Sequence, residues 1–331
     1  MSALATRASL QSMVEEGLQG IEYPVSPDEL YKPIRYTLES GGKRIRPTLL
    51  LGIYDWVSGG GGDLASALPA ALAVEVFHNF TLLHDDVMDK SMLRRGRQTV
   101  WNRWGANTAI LSGDAMVIVA YEILERVPGE QLAGVLRRFN RLAMGVCQGQ
   151  QSDMDFEEND MVLLSHYMEM IGHKTADLIE GAVRIGAFMA GASEELENLL
   201  GLSAREMGLA FQLQDDWLDV YGDTETFGKQ VGDDIADNKK TYLSILARED
   251  GDAKVQNDLT RAMNNIALER DEKVRLIMGI YEKLDIRSKT VVAIEEHLAK
   301  SSEHLRQAEE LVGGEATVFR GVLSSLSGRT V

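Results

Sequence analysis

Apolar residues recur at intervals of three and four along most of the chain, the spacing that lays one apolar stripe along an α-helix. Leu68, Leu72, Val76, Phe80, Leu83 and Val87 form such a stripe on a helix that Asp63 can cap, just after the flexible glycine run 59–62. An earlier start reads Ser26-Pro27-Asp28-Glu29, with Ser26 as N-cap, Pro27 at the first helical position and acids in the first turn. Before it lies a weaker amphipathic helix around Leu10 to Leu18. Two more buried helices are predicted over 104–127 and 131–156. In the first, Asp114 lies among Ile110, Leu111, Met116 and Ile118, where an unpaired charge would be costly, so it is expected to be buried and hydrogen-bonded. Further helices are predicted after Lys174-Thr175, over 202–221, and from 252 to the end. No strand-like alternation lasts long enough to suggest a sheet. The expected class is all-α, as a single domain over residues 1–331.

Two of these helical stretches carry the same acidic signature, Asp85-Asp86-Val87-Met88-Asp89 and Asp215-Asp216-Trp217-Leu218-Asp219. On a helix, residues i and i+4 are displaced by about 40° around the axis and about 6 Å along it. Asp85 and Asp89 therefore project from one face, as do Asp215 and Asp219, and each pair is a two-pronged oxygen claw. Like charges at that spacing destabilise a bare helix by a few tenths of a kcal/mol, a cost that a hard cation removes. Mg²⁺ takes one or two carboxylates and completes its octahedron with water and phosphate oxygens, so paired claws suit a diphosphate held by several ions. One such motif among 51 acidic residues would read as a solvated acidic face; two, each in an apolar setting, do not.

Composition narrows the reading. With 34 Lys plus Arg against 51 Asp plus Glu the net charge is −17, which argues against an extended nucleic-acid or anionic-membrane surface. Any anionic substrate must be held by metals and local cations. The single Cys147 excludes an internal disulfide framework. Charges break the longest apolar stretches, so no membrane span is expected, and acids at Glu15 and Glu16 do not fit a leader. A soluble cytoplasmic protein is the expectation.

Local cation clusters exist. Gly41-Gly42-Lys43-Arg44-Ile45-Arg46-Pro47 places three cations in four residues, beside two glycines and before a helix that Pro47 can open, and reads as an anion site. His78, seven residues or about two turns before Asp85, lies on the claw's own side. Arg94, Arg95 and Arg97 offer forked donors suited to phosphate. The stretch 226–240 alternates glycine, acid and lysine, as a phosphate-covering loop would.

Taken together, the two Asp motifs, Gly-Gly-Lys-Arg-Ile-Arg-Pro, the Arg pair, Lys174-Thr175, Phe211-Gln212 before Asp215-Asp216, and Gly228-Lys229 follow one another as in a known family. The chain resembles the trans-isoprenyl diphosphate synthases, the group of farnesyl and geranylgeranyl diphosphate synthases. The resemblance implies an isoprenoid synthase fold, a bundle of long antiparallel helices around a central cavity, as a homodimer. It implies Asp85, Asp89 and Asp215 as direct ligands of three Mg²⁺ ions, with Asp86, Asp216 and Asp219 as ligands or water-mediated support. Arg94, Lys174, Thr175, Gln212, Lys229 and Lys239 would hold an allylic diphosphate, with Lys240 an alternative to Lys239. Lys43, Arg46, His78 and Arg95 would hold isopentenyl diphosphate. Phe80, with Thr81, would limit the product to C15 or C20. A class I terpene cyclase is the nearest rival, but it needs one diphosphate site and has no use for Lys43, Arg46 and Arg95; a non-catalytic subunit of a heteromeric prenyltransferase has little need for intact claws.

Overall fold

The computed structural model describes residues 4–159, 161–222, 231–265 and 268–328. Its helices are α1 (Arg7–Gln19), α2 (Asp28–Leu38), α3 (Ile45–Val57), α4 (Leu64–Met88), α5 (Val100–Trp104), α6 (Ala106–Leu124), α7 (Gly129–Glu157), α8 (Leu164–Ile171), α9 (Asp177–Met189), α10 (Glu194–Tyr221), α11 (Asp233–Ala236), α12 (Tyr242–Asp250), α13 (Ala253–Asn264), α14 (Arg270–Lys283), α15 (Ile286–Val312) and α16 (Thr317–Ser327). The protein is all-α. Among the described residues the one exception is a pair of two-residue strands, β1 (Leu93–Arg94) and β2 (Arg97–Gln98).

These elements group into two compact units, each assembled from separate stretches of chain. The first comprises Met1–Ala143, Leu178–Gly201 and Leu305–Val322; the second comprises Met144–Asp177, Leu202–His304 and Leu323–Val331.

The first unit is built around α4. Asp63 caps it as the sequence predicts, its carboxylate accepting from the Ala65 N–H at 3.1 Å. From Ala70 to Phe77 every residue is buried, because α1, α2, α3, α5 and α6 all pack on this helix. A helix buried all round needs no single stripe. Accordingly Leu72, Val76 and Leu83 are core, whereas Leu68, Phe80 and Val87 are only half-buried. By length and composition α4 and α6 are each apolar enough to cross a membrane, so charges interrupt these stretches less than the sequence reading supposed. In α4 that apolarity is spent on the core.

Two local expectations are corrected. Helix α2 begins at Asp28 with Pro27, not Ser26, at the N-cap and no side-chain cap; Asp28 instead pairs with Lys32 and Arg35, both at 2.8 Å. Asp114 is not buried: its side chain is 60% exposed, with the His84 ring 3.9 Å away, on a face of α6 that also leaves Ile110, Leu111 and Ile118 exposed.

In the second unit, α8 packs on α12, and α14 packs on α11, α12 and α13. Between α8 and α9 the chain makes a five-residue π-helical turn, Gly172–Ala176. Such widened turns are uncommon and frequently occur at functional sites.

Candidate active site

In the first unit the acidic motif forms the end of α4, with Asp89 as C-cap. Asp85 is half-buried and Asp89 exposed, while Asp86 turns inward and is 5% exposed. Arg94 meets it there: its Nε donates to Asp86 Oδ1 at 2.7 Å, and its Nη2 lies 3.8 Å from Asp85 Oδ2. Burial pushes the Asp86 carboxyl up to about 6; Arg94 opposes the rise, and Asp85 and Asp89 add to it.

The hairpin that delivers Arg94 turns through Arg95 and Gly96, both with positive φ (52° and 73°), as a two-residue loop with right-handed strand twist requires. Its tip brings the Arg95 guanidinium onto the Gly41 carbonyl, with Gly42 directly beneath it; a Cβ on Gly42 would lie 3.0 Å from Arg95 Nη1. Gly41 is thus required by its φ of 74°, and Gly42 both by its φ of 146° and by this approach.

Arg46 is half-buried at the start of α3. Its Nη1 lies 3.1 Å from His78 Nε2, and since a guanidinium only donates, that ring nitrogen accepts and the imidazole is neutral. Burial drives the His78 pKa well below its usual value, and the positive charge of Arg46 and Arg95 drives it further. Burial also lowers Arg46 to about 10, so it remains a cation at neutral pH. Its Nε is buried with no partner, a donor that an incoming anion would satisfy. Lys43 is exposed on the adjoining turn.

One cation of that turn is not available to a ligand. Arg44 is 3% exposed, donating to Glu15 at 2.7 and 3.3 Å, to Glu75 Oε1 at 2.8 Å and to the Leu38 carbonyl at 2.6 Å. It stands at the N-cap of α3 with a left-handed φ of 45°, a conformation that costs a residue with a Cβ roughly 1–2 kcal/mol. Sequence spacing cannot separate this inward arginine from its outward neighbours. The usable signal was Glu75, an acid in an otherwise apolar run, which had to find a cation.

Below the motif, the Phe80 ring packs against Phe77 (5.3 Å) and His84 (4.7 Å) between centroids, and Thr81 Oγ1 donates back to the His78 carbonyl at 2.8 Å.

The second unit holds the second motif, late in α10. Asp215 is exposed and Asp219 half-buried, while Asp216 is 4% exposed. Asp216 accepts from the Tyr167 hydroxyl, from the Tyr242 N–H at 3.0 Å and from Gln212 Nε2 at 3.1 Å. Burial nevertheless pushes its carboxyl up to about 7. Gln212 in turn accepts from Thr175 Oγ1 at 2.9 Å, and the neighbouring Lys174 Nζ lies 2.6 Å from Asp153 Oδ2. Lys174 and Thr175 both stand on the π-helical turn. Gly149 permits its position, since a Cβ there would lie 2.2 Å from the Lys174 backbone nitrogen. Tyr167, Tyr242 and Asp153 were not singled out by sequence reasoning; nothing in their spacing marks them.

Asp219 anchors the chain that follows. Its carbonyl accepts from the Gly232 N–H at 2.7 Å and its Oδ2 from the Asp234 N–H at 3.1 Å. Lys239 Nζ lies 4.0 Å from Asp234 Oδ1. Arg270 holds Asp233 at 2.6 Å, and Lys273 donates to the Ala236 carbonyl at 2.7 Å. Lys240 is half-buried. Lys229 lies outside the described residues.

Among the described residues no three His, Cys, Asp or Glu side chains converge as a ready-made metal cage. The donor set fits a different kind of site. Within each unit the outward carboxylates, Asp85 and Asp89 in the first and Asp215 in the second, offer oxygen only, the donor type that suits a hard cation such as Mg²⁺.

Comparison with known proteins identifies the family of the chain and of its fold. The family model for polyprenyl synthetases matches residues 27–284. The chain is 42% identical over 227 residues to the geranylgeranyl diphosphate synthase of Methanosarcina mazei, covering 68% of this chain and 69% of that one. A crystal structure of a geranylgeranyl pyrophosphate synthase superimposes with a TM-score of 0.89 at 38% identity over 98% of both chains. The Corynebacterium glutamicum geranylgeranyl pyrophosphate synthase, solved with isoprenyl diphosphate and magnesium, gives 0.82 at 26% identity, covering 98% of this chain and 97% of that one. A match of this extent, on a helical fold that keeps both acidic motifs, shows that the chain belongs to the polyprenyl synthetase family.

Proposed function

We propose that the protein is a short-chain trans-prenyltransferase that condenses isopentenyl diphosphate with allylic diphosphates to a C15 or C20 all-trans prenyl diphosphate. The observation that carries this reading is that both Asp-Asp-x-x-Asp motifs are intact on helices, the first with Arg94 on Asp86 and the second joined through Gln212 and Thr175 to the turn that carries Lys174.

Asp85, Asp89 and Asp215 would hold Mg²⁺, with Asp86, Asp216 and Asp219 as support; three ions per active site is our expectation. When bound, Mg²⁺ neutralises the charge that develops on the departing pyrophosphate. Arg94, Lys174, Thr175, Gln212, Lys229 and Lys239 orient the allylic diphosphate, so that its C–O bond breaks and leaves an allylic carbocation. Lys43, Arg46, His78 and Arg95 hold isopentenyl diphosphate, whose double bond attacks the cation and forms the new C–C bond. A proton is then lost to the released pyrophosphate. His78, kept neutral by burial and by its arginine neighbours, serves here as an acceptor for Arg46 and not as a proton source. Phe80 and Thr81 limit the chain length.

The protein works as a single catalytic domain and as a homodimer, a reading supported by the exposed Ile110, Leu111 and Ile118 on α6. The exposed lone thiol Cys147 and the acidic composition suit the cytoplasm. Purified protein incubated with isopentenyl diphosphate, Mg²⁺ and each allylic diphosphate in turn tests the reading by product sizing. Linear C15 or C20 diphosphates are expected. A cyclised hydrocarbon would mark a terpene cyclase, and activity only with a second polypeptide would mark a subunit; either overturns the proposal.

A further inference from the structure

We propose that Arg44 is a positioning residue for the isopentenyl diphosphate site, and that helix α1, through Glu15, belongs to that site's support. The inference rests on the reading of Lys43, Arg46, His78 and Arg95 as that site.

Arg44 sits between two of those residues in sequence but points away from any ligand. It is 3% exposed, and its donors are spread over three separate elements: the Glu15 carboxylate of α1, Glu75 of α4, and the Leu38 carbonyl that ends α2. A direct phosphate contact is therefore ruled out, and what remains is geometry. Glu75 stands three residues before His78 and four before Asn79 on the same helix, and Asn79 Nδ2 also donates to its carboxylate at 3.1 Å. The Arg44 to Glu75 bond thus ties the turn carrying Lys43 and Arg46 to the turn of α4 carrying His78.

Helix α1 ties the same turn from the other side. Gln11 Nε2 donates to the Lys43 carbonyl at 2.8 Å, four residues before Glu15 takes the Arg44 fork. Between Gly42 at φ 146° and Ile45, Arg44 holds a left-handed φ of 45°. A residue with a Cβ keeps that conformation only where its surroundings over-determine it, and here four directed bonds do so. Glu75 has a second effect, since its buried negative charge works against the burial that lowers Arg46 and Arg95, keeping a cluster of like charges together before an anion arrives.

A residue that merely stabilised the fold would affect both substrates alike. A positioning residue for this turn should affect one. Arg44→Lys keeps the charge but cannot reach three partners with one planar fork. Steady-state kinetics with the full chain and saturating Mg²⁺ should show the isopentenyl diphosphate KM raised about tenfold, the loss of one well-oriented charged hydrogen bond, with the allylic KM and kcat within about twofold. Glu15→Gln, at a carboxylate that is partly exposed and safer for folding, should raise the same KM alone by a smaller factor. The double variant should be no worse than Arg44→Lys, because Glu15 acts through Arg44.

Arg46→Ala is measured alongside. If it leaves the isopentenyl diphosphate KM unchanged, the reading of the site itself has failed. If it raises that KM while Arg44→Lys and Glu15→Gln do not, the positioning role is overturned and the site reading stands. Equal rises in both KM values with a lowered melting temperature also overturn it. Should Arg44→Lys fail to fold, Glu15→Gln decides alone.

Discussion

The two acidic motifs share a spacing and a buried middle carboxylate, but they hold that carboxylate by different means. Asp86 is held by a charge, the Arg94 guanidinium, which also stands 3.8 Å from Asp85. Asp216 is held by neutral donors, the Tyr167 hydroxyl, the Tyr242 N–H and the Gln212 amide. Arg94 is a third exposed and is a group that the proposed function also assigns to substrate, so the first motif can exchange partners when a diphosphate arrives. Of the donors around Asp216, the Tyr167 hydroxyl and the Tyr242 N–H have no such second claim, so the second motif keeps two fixed anchors even where Gln212 turns to substrate. One motif is adaptable and one is preorganised, and preorganised charge needs no rearrangement at the moment of reaction.

The strongest test of what the motifs share is removal of their outward carboxylates. Asp85→Ala and Asp215→Ala should each lower kcat by about a thousandfold or more, since one lost metal ligand removes several kcal/mol of transition-state stabilisation. Melting temperatures should not fall, because acid–acid repulsion is relieved. Near-native turnover of either variant at limiting Mg²⁺ would remove the claws from the mechanism.

A smaller effect separates the two anchors. Tyr167→Phe should cost stability, about 1.5–3 kcal/mol for a buried hydrogen bond to a carboxylate, measured by denaturant unfolding, while the KM for the allylic substrate stays put. Arg94→Gln should do the reverse, sparing stability and raising the allylic KM by about tenfold or more. If the two variants give the same pattern, the distinction between adaptable and preorganised motifs is wrong.

The smallest effect concerns what lies five residues below each motif, Phe80 in one and the buried Ala210 in the other. If only the first helix limits chain length, Phe80→Ala should lengthen the product by at least one isoprene unit while the first condensation rate changes little. Since Phe80 is half-buried, its loss should cost less than the ~3–5 kcal/mol of a fully buried Phe. An unchanged product ladder with a lowered melting temperature would reduce Phe80 to packing.

Much of this was legible in the sequence, and the part that was not has a common cause. Helical period, the Asp63 cap and both motifs could be read because they depend on neighbours within one or two turns. Arg44 and Asp114 could not, because their fate is decided by residues far away in sequence. Arg44 is drawn inward by Glu15 and Glu75, 29 and 31 residues distant. Asp114 sits in an apolar run that argues for burial, yet that face of α6 is left open. The roles of Tyr167 and Tyr242 were equally invisible, one donating through its hydroxyl and the other through its backbone, across 49 and 26 residues.

The placement of the first motif at the very end of α4 has an electrostatic consequence of its own. The aligned peptide dipoles of a helix leave about half a negative charge at its C-terminus, where each added carboxylate is disfavoured by roughly 0.3–1 kcal/mol. Asp85, Asp86 and Asp89 all fall in that last turn and its cap. The backbone therefore joins the side chains in attracting a divalent cation, and without one the final turn of α4 is the part of the helix most prone to fray. Its amide hydrogens, from Asp85 to Asp89, should exchange with solvent at a rate set by whether a cation is bound, which makes the helix end itself a gauge of metal occupancy.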